Sequence, residues 1–544
     1  MGDISFLKFL KRSKFDFNLA KKYYDSYDKI MELGLFDKEF YLSNYPHIAE
    51  SDIDPLEHFL FFGYDEKKYP SPHFDLYSYE QKHPDININP LVHYILEGEQ
   101  GHIFLKSPAE IAKERLINVN SLFLNNCTFE DEPLVSIIVL NRNGSKHLKR
   151  LFTDFASKTN YNNYEIIVVD NASTDDSLNV LEEFSKDLPI EIIKNDINVS
   201  FSQGNNDAAK IANGEYLLLL NNDIEPTFGW LNELMGVMLN NENVGAVGAK
   251  LVFPYTFNME NQETSFSIQH AGVKFREEMT PYIYGPYHEN MFLTMIFSHK
   301  VNELKESISN TAATLLVPKK LYLDLGGLDE GYFYGYEDID FAFKLYTNNY
   351  KTFYCPSALL FHHESATRIN DERVHEINFK NISLFKDKWG DILFKDILND
   401  KINHKNFLTE EKLNFSIISE NNINNLLTSL IKDLNSNNYD FNLICDMDDY
   451  FLGNEVDILL SFTLNYNTKK SVSRLNLIKI LILDSYEDNF DNINDYDIIL
   501  TCNEEVFEKI KNNNLENVFK IDKDEFIKNS TEKLIEIIKK VYLG

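Results

Sequence analysis

Cysteine is scarce in this sequence: four residues, Cys127, Cys355, Cys445 and Cys502, among 544. They stand far apart and form no metal spacing, and they read as reduced thiols of a cytosolic protein. Positive charge is scarce as well. Lysine and arginine number 53 against 85 acidic residues, a formal net charge of −32. A protein that neutralises many backbone phosphates does not have this balance, so no nucleic acid partner is expected. A single sugar-phosphate ligand stays within reach, given a metal ion or a local cation. Long apolar runs are missing too: none reaches the roughly 18 residues of a membrane span. The opening MGDISFLKFLKRSKFDF does not read as a signal peptide, because its apolar stretch is short and broken by lysine. It sets Phe6, Leu7, Phe9 and Leu10 beside Lys8, Lys11, Arg12 and Lys14. Such a basic amphipathic helix either packs on its own protein or touches an anionic membrane surface. The expected location is cytoplasmic, with peripheral contact at the inner face of the cell membrane as the second option.

What is present is ample core material. Hydrophobic residues make up 43% of the chain and aromatic residues 13%. The length is too great for one core, so two to four domains are expected. One stretch stands out, EYLLLLNNDIEP over residues 215–226. Tyr216 to Leu220 is apolar on both faces, as in a central parallel strand covered on each side. It runs straight into Asn221, Asn222 and Asp223. Ligands of such sheets gather at the carboxyl ends of the strands. An aspartate there, beside carboxamides, suits a hard divalent cation that also touches a diphosphate. The plain alternative is a polar turn after a core strand.

The chain on either side has its own organisation. Residues 1–104 read as a helical module holding two copies of one unit, at 36–63 and 74–98. Phe36 matches Phe74, Pro46 matches Pro84, Pro55 matches Pro90 and Gly63 matches Gly98. Each copy predicts a short helix, a turn before proline, and a proline-started helix ending at glycine. His58 and His93 fall at matching helix positions, where packing or capping is the expected duty. Residues 105–130 read as a linker helix. Strands follow at 134–140, 165–170 and 190–195, with helices over 145–158 and 204–212 between them. Ser173 and Asp176 have the spacing of an N-cap pair. Alternating strand and helix predicts an α/β domain over 131–400 with a mainly parallel, mixed sheet. The tail, 401–544, is rich in Asn, Lys and Ile. Four more parallel strands (442–446, 456–462, 478–484, 496–503) and a helix over about 524–541 predict a small Rossmann-like domain. It holds no glycine-rich phosphate loop.

Six stretches in order carry a resemblance: SIIVLNRNG (136–144), VVDNASTD (168–175), SFSQGNN (200–206), LLNNDIEP (219–226), GGLDEGYFYGYEDIDFAFKL (326–345) and HHESATR (362–368). Residues 133–370 resemble an inverting family 2 glycosyltransferase with the GT-A fold, of the rhamnosyltransferase or galactofuranosyltransferase kind. The N-terminal units resemble tandem units found beside such domains in bacterial surface-polysaccharide enzymes. The resemblance implies transfer of a sugar from a UDP- or dTDP-linked donor to a hydroxyl of a glycan or lipid-linked glycan. It places the nucleotide sugar at Asn141, Asp170, Asn171, Asn205, Asn221 and Asn222, with Arg368 at the leaving diphosphate. Asn205 and Asn206 would open a helix whose first amides face a phosphate.

The family's Asp-x-Asp motif reads here Asn221–Asn222–Asp223. Asp223 is therefore the implied ligand of Mn2+ or Mg2+, and His362, rather than His363, the second. Neutral imidazole suits manganese better than magnesium. Asp338 is the implied catalytic base, with Glu337, Gly327 and Tyr336 on the acceptor. Asp340 reads as an acid favouring a helix N-terminus on electrostatic grounds alone. The chain departs from the family where Thr311–Ala312–Ala313 replaces Thr-Gly-Ala and where the donor loop carries Ser200. Two other classes compete. One is a nucleotidyltransferase using the same crevice; the other is a non-catalytic glycan-binding scaffold built from the repeats and tail.

Overall fold

The computed structural model describes the chain except residues 1–5, 98–107, 278–283, 364–373, 419–424, 445–456, 463–476 and 484–492. Short gaps also fall at 15, 50, 52, 67, 72–73, 75, 77–78, 80–82, 84–85, 255, 259–262, 512–514 and 516. The residues fall into two compact units: Met1–Phe123 with Tyr255–Ser265, and Leu124–Pro254 with Phe266–Gly544.

The first unit is mostly helical. Helices Phe17–Glu32, Lys38–Asn44 and Pro55–His58 each begin after an aspartate, Asp16, Asp37 and Asp54, whose carboxylate accepts a backbone N–H of the first turn. Each such cap is worth about 1 kcal/mol. The helix from Pro55 continues into a wider turn, Phe59–Gly63. The core is aromatic: Phe9, Tyr23, Phe36, Tyr41, Phe59 and Tyr79 are buried together. Tyr41 OH meets His58 Nδ1 at 2.9 Å, and Tyr79 OH meets His93 Nδ1 at 2.8 Å. Both histidines are thus held by a packed tyrosine.

The second unit is built on a large sheet. Its strands are β1 (Val135–Asn141), β2 (Tyr164–Asn171), β3 (Ile190–Asn195), β4 (Tyr216–Asn221), β5 (Ile224–Pro226) and β6 (Val244–Val252). After a hairpin of the first unit, β7 (Thr256–Asn258) with β8 (Glu263–Ser265), come β9 (Ile268–His270) and a separate antiparallel hairpin of β10 (Val273–Glu277) and β11 (Tyr284–His288). Then follow β12 (Lys305–Glu306), β13 (Thr314–Pro318) and β14 (Lys351–His362). The order is β12–β14–β6–β13–β4–β1–β2–β3, with β5 on β14 and β9 on β6. The expected parallel run holds for β4, β1, β2 and β3. Beyond it β13 enters antiparallel between β4 and β6.

β4 is covered on both faces, as its apolar run predicts. Leu218 and Leu220 enter one core, with Trp230 and Leu234. Leu217 and Leu219 enter the other, with Ile138 and Ala208. The predicted helix over 145–158 is instead two, Ser145–Phe152 and Phe155–Thr159. They are broken at Asp154, whose φ of 57° leaves the helical region. The predicted Ser173–Asp176 cap is also replaced. The next helix starts at Ser177, whose N–H is taken by Asp175, while Ser173 accepts from the Asn143 N–H.

Among the described residues the tail forms a six-stranded parallel sheet, two strands more than expected. Its strands are β15 (Asn414–Ile418), β16 (Asp440–Ile444), β17 (Ile458–Ser461), β18 (Ile478–Leu483), β19 (Ile498–Thr501) and β20 (Val518–Lys520). The order is β16–β15–β17–β18–β19–β20. The single closing helix is two, Lys523–Lys528 and Ser530–Tyr542, parted at Asn529. The helix Val374–Asn403 and the loop after it pack this sheet against the β10–β11 hairpin. Phe275 N–H donates to Leu408 O at 2.7 Å. The buried ammonium of Lys401 lies 2.8 Å from Asp457 and 3.2 Å from Glu411, over the ring of Tyr284.

Candidate active site

The carboxyl ends of β1, β2 and β4 carry one amide–carboxylate network. Asn141 Nδ2 donates to Asp170 Oδ1 at 3.1 Å, and Asn141 Oδ1 accepts from Asn222 Nδ2 at 2.8 Å. Asp170 Oδ2 accepts the Ser173 N–H at 3.1 Å. Three residues expected at the nucleotide thus meet. The contact needs Gly144: a Cβ there would stand 2.4 Å from both Asn141 Oδ1 and Asn222 Nδ2.

Asp223 follows β4 and is buried at 6% exposure. Its carbonyl accepts the His363 N–H at 3.0 Å, because β14 runs antiparallel beside β5 with His362 opposite Ile224. That ladder turns His362 Nε2 to 3.1 Å from Asp223 Oδ1. Asn221 Nδ2 lies 3.5 Å from the same nitrogen, and Gln269 Oε1 lies 2.7 Å from His362 Nδ1. His363 turns away, to Glu225 at 3.2 Å. His147, on the helix Ser145–Phe152, is near enough for Asp223 to act on it. Burial nevertheless pushes its pKa below the usual imidazole range.

Asp338 reaches the same sheet edge from the helix Glu337–Thr347. Its Oδ2 accepts the Ala312 N–H at 3.1 Å and its Oδ1 the Ile339 N–H at 2.9 Å. Ala313, the next residue, accepts the Asn221 N–H at 3.0 Å. So β13, entering antiparallel, ties Asp338 to the end of β4. Asp223, His362 and Asp338, distant in sequence, are assembled around one strand end.

Residues 136–303 match the Glycosyl transferase family 2 model. Over these residues the chain is similar to family 2 glycosyltransferases. Its relatives include an uncharacterised protein, y4gI, of Sinorhizobium fredii, 30% identical over 45% of this chain and 26% of that protein. Another is the O-antigen biosynthesis protein RfbC of Myxococcus xanthus, 31% identical over 44% of this chain and 18% of that protein. A third is the low-salt glycan biosynthesis hexosyltransferase Agl10 of Haloferax volcanii, 23% identical over 48% of this chain and 78% of that protein. The match with y4gI and RfbC therefore spans about a quarter or less of their length.

Around this site several expected residues have other partners. Asn171 gives its amide to the loop after β3: it donates to Val199 O at 2.9 Å and accepts from Val199 N and Asn195 Nδ2. Asn205 and Asn206 do not open a helix. Ser200 caps it, accepting the Gln203 N–H at 3.1 Å, and the helix runs Phe201–Ile211. Asn205 is buried in its second turn and donates back to Phe201 O. Asn206 instead holds the loop before the helix Glu337–Thr347, bonded to Tyr322 OH, Leu328 N–H and Leu328 O.

That loop contains Gly327, with φ +64°, where a Cβ would meet Asn206 Oδ1 at 2.3 Å. Tyr336 caps the following helix at φ 74° and packs on Phe385. Glu337 is buried at 5% exposure beside it. Asp340 does not cap. Fully buried, it accepts from Lys388, from Trp389 Nε1 at 2.8 Å and from Tyr332 OH at 3.4 Å. Arg368 lies outside the described residues.

Sequence reasoning missed Gln269, Asn206's role and the Lys388–Trp389 pair. Gln269–His270 in SIQHAG, a polar pair inside an apolar segment, was the available signal for the first.

Proposed function

We propose that the chain is a metal-dependent, inverting glycosyltransferase that moves a sugar from a UDP- or dTDP-linked donor to a hydroxyl of a glycan or lipid-linked glycan. The observation that supports it is the contact of Asp223 with His362 after β4, with Asp338 holding the Ala312–Ala313 backbone that bonds Asn221 at the end of the same strand. The names of RfbC and Agl10 support a place in surface polysaccharide or glycoconjugate assembly, and the resemblance in sequence supports rhamnosyl or galactofuranosyl transfer.

The donor set fits a divalent cation, Mn2+ or Mg2+. Asp223 Oδ1 and His362 Nε2 converge at 3.1 Å, one anionic oxygen and one imidazole nitrogen. Among the described residues no group of three or more His, Cys, Asp or Glu could hold a metal. Two protein ligands leave most positions to the donor diphosphate and water, the usual mode for cations on phosphates. When bound, such a cation offsets charge on the departing diphosphate. Asn141, Asp170 and Asn222 present amides and a carboxylate to the nucleotide and sugar, and the resemblance in sequence supports Arg368 for the leaving diphosphate. Glu337, Gly327 and Tyr336 shape the acceptor side. Asp338 takes the acceptor proton as the hydroxyl oxygen bonds to the anomeric carbon and the bond from that carbon to the diphosphate breaks. Enclosure of that carboxylate by the Ala312 and Ile339 amides aims it without spending a side chain.

The terminal modules act as positioning elements in this reading. Leu7 at 64% and Phe17 at 58% exposure stand with exposed Lys8, Lys11 and Lys14. Apolar side chains among lysines suit an anionic lipid surface. Co-sedimentation with anionic but not neutral vesicles, lost in Leu7→Glu with Phe17→Glu, is the expected result.

The deciding assay mixes the full chain, Mn2+ and a panel of nucleotide sugars and follows nucleoside diphosphate release. Release from one donor, abolished by a chelator and in Asp223→Ala, is expected. Pyrophosphate release would identify a nucleotidyltransferase, and no release from any donor would favour a binding scaffold.

A further inference from the structure

Gln269 is used by none of the steps above, although its side chain is 5% exposed and lies 2.7 Å from His362 Nδ1. We infer that Gln269 is a positioning residue that fixes the tautomer of His362, so that the Nε2 lone pair faces Asp223 and a divalent cation between them. The inference rests on the metal-dependent reading of the site.

Two amides agree on the tautomer. A glutamine oxygen only accepts, so the ring nitrogen facing it carries the proton. An asparagine nitrogen only donates, and Asn221 Nδ2 lies 3.5 Å from His362 Nε2, on the side that must then hold the lone pair. The consequence lies at Asp223. Its Oδ1 is 3.1 Å from that same Nε2. A carboxylate oxygen and an imidazole nitrogen at this distance repel unless they share a proton or a metal cation. The two acceptors are therefore arranged for positive charge at that point. Metal-bound imidazoles commonly have the other nitrogen fixed by such an outer partner.

Gln269 is itself fixed. β9 pairs with β6 on both sides of it, at Leu251–His270 and Val252–Ile268. The neighbouring His270 is fully enclosed, which keeps its pKa well below the usual range. Its Nε2 meets Asn310 Oδ1 at 2.9 Å, and Asn310 Nδ2 donates to Phe353 O at 2.9 Å. A Cβ on Gly248 would stand 2.4 Å from the Asn310 side chain, so that contact too depends on a bare backbone. β9 is thus fastened to β6, β14 and the approach to β13. Had Gln269 only filled space, leucine would replace it well and glutamate badly. As a tautomer lock the order reverses, because a carboxylate accepts at Nδ1 and leucine does not.

The test uses the full chain and Mn2+ alone as the probe, with free Mn2+ followed by electron paramagnetic resonance. The specific site is defined as the binding lost in Asp223→Ala. Gln269→Leu is expected to weaken that binding about 10- to 100-fold, and Gln269→Glu to restore it. Ring 15N shifts of metal-free protein should show His362 protonated at Nδ1. Unchanged Mn2+ binding in Gln269→Leu overturns the inference and leaves the metal reading intact. Retention of Mn2+ by Asp223→Ala overturns that reading instead. A wild-type His362 protonated at Nε2 overturns the inference even where Gln269→Leu does not fold.

Discussion

The carboxylate of Asp340 has no exposed surface, and its partners Lys388 and Trp389 arrive from nearly fifty residues further along the chain. Removing one partner of a buried ion pair costs about 3–5 kcal/mol. The lower end applies here, since the Lys388 side chain keeps 27% exposure. Asp340→Ala is therefore expected to cost about 3 kcal/mol, read as a clear fall in melting temperature. A variant as stable as the parent would mean that the pair is dispensable.

A second residue sets a pH dependence. Burial pushes the Lys250 ammonium down to about 7, while the amine contacts Asn302 Oδ1 and Ile296 O. An unfolded lysine titrates near 10.4, so between the two values the unfolded chain binds more protons. Stability then rises with pH across that window, and the cost of burying the charge is fully present below about pH 7. Melting temperatures of the parent should climb from pH 7 to 9 more steeply than those of Lys250→Met. Equal slopes would show that Lys250 does not titrate in the fold.

Elements were legible in proportion to the length of their pattern. β4 was plain, because five apolar residues in a row need cover on both faces, and Leu217 to Leu220 have it. The carboxyl-end placement of Asn141, Asp170 and Asn222 followed from the strands. The antiparallel entry of β13 was not legible, because TLLVP has no feature that sets direction. β9 has three residues, too few for a period, so the reach of Gln269 to a histidine 93 positions away left no local sign. The helix of Asn205 begins at Phe201, before the expected 204, because Ser200 in the expected donor loop is its cap. Asp340 looks like a helix-terminal acid in sequence because Glu337 and Asp338 beside it are acids too, while its partners Lys388 and Trp389 lie nearly fifty residues away. The turn at Gly327 offers a test at this scale. Its φ of +64° and the 2.3 Å approach to Asn206 leave no room for a side chain. Gly327→Ala should therefore lower the melting temperature and impair acceptor use. Donor hydrolysis should survive better, because Asp223 and His362 lie on other elements. Normal transfer by Gly327→Ala would show that the turn does not shape the acceptor side.

The unit that carries the site also carries the tail. Asp400 accepts from the N–H groups of Phe407, Leu408 and Thr409, and Lys401 is buried between Asp457 and Glu411. A protein ending at residue 400 loses these partners and the Leu408 carbonyl under Phe275, so it is expected to be insoluble. A soluble and active shortened protein would show that the tail is not needed by the fold of the large sheet. The central claim concerns the intact chain: sugar transfer at the end of β4, with Asp338 as base. General base catalysis is worth about 100- to 10,000-fold. The direct measurement is donor affinity by calorimetry beside transfer rate, for the parent and Asp338→Asn. Turnover is expected to fall by at least about 100-fold while donor affinity stays within a few-fold. Near-normal turnover would contradict the account, and loss of donor binding would make Asp338 a ligand rather than a base.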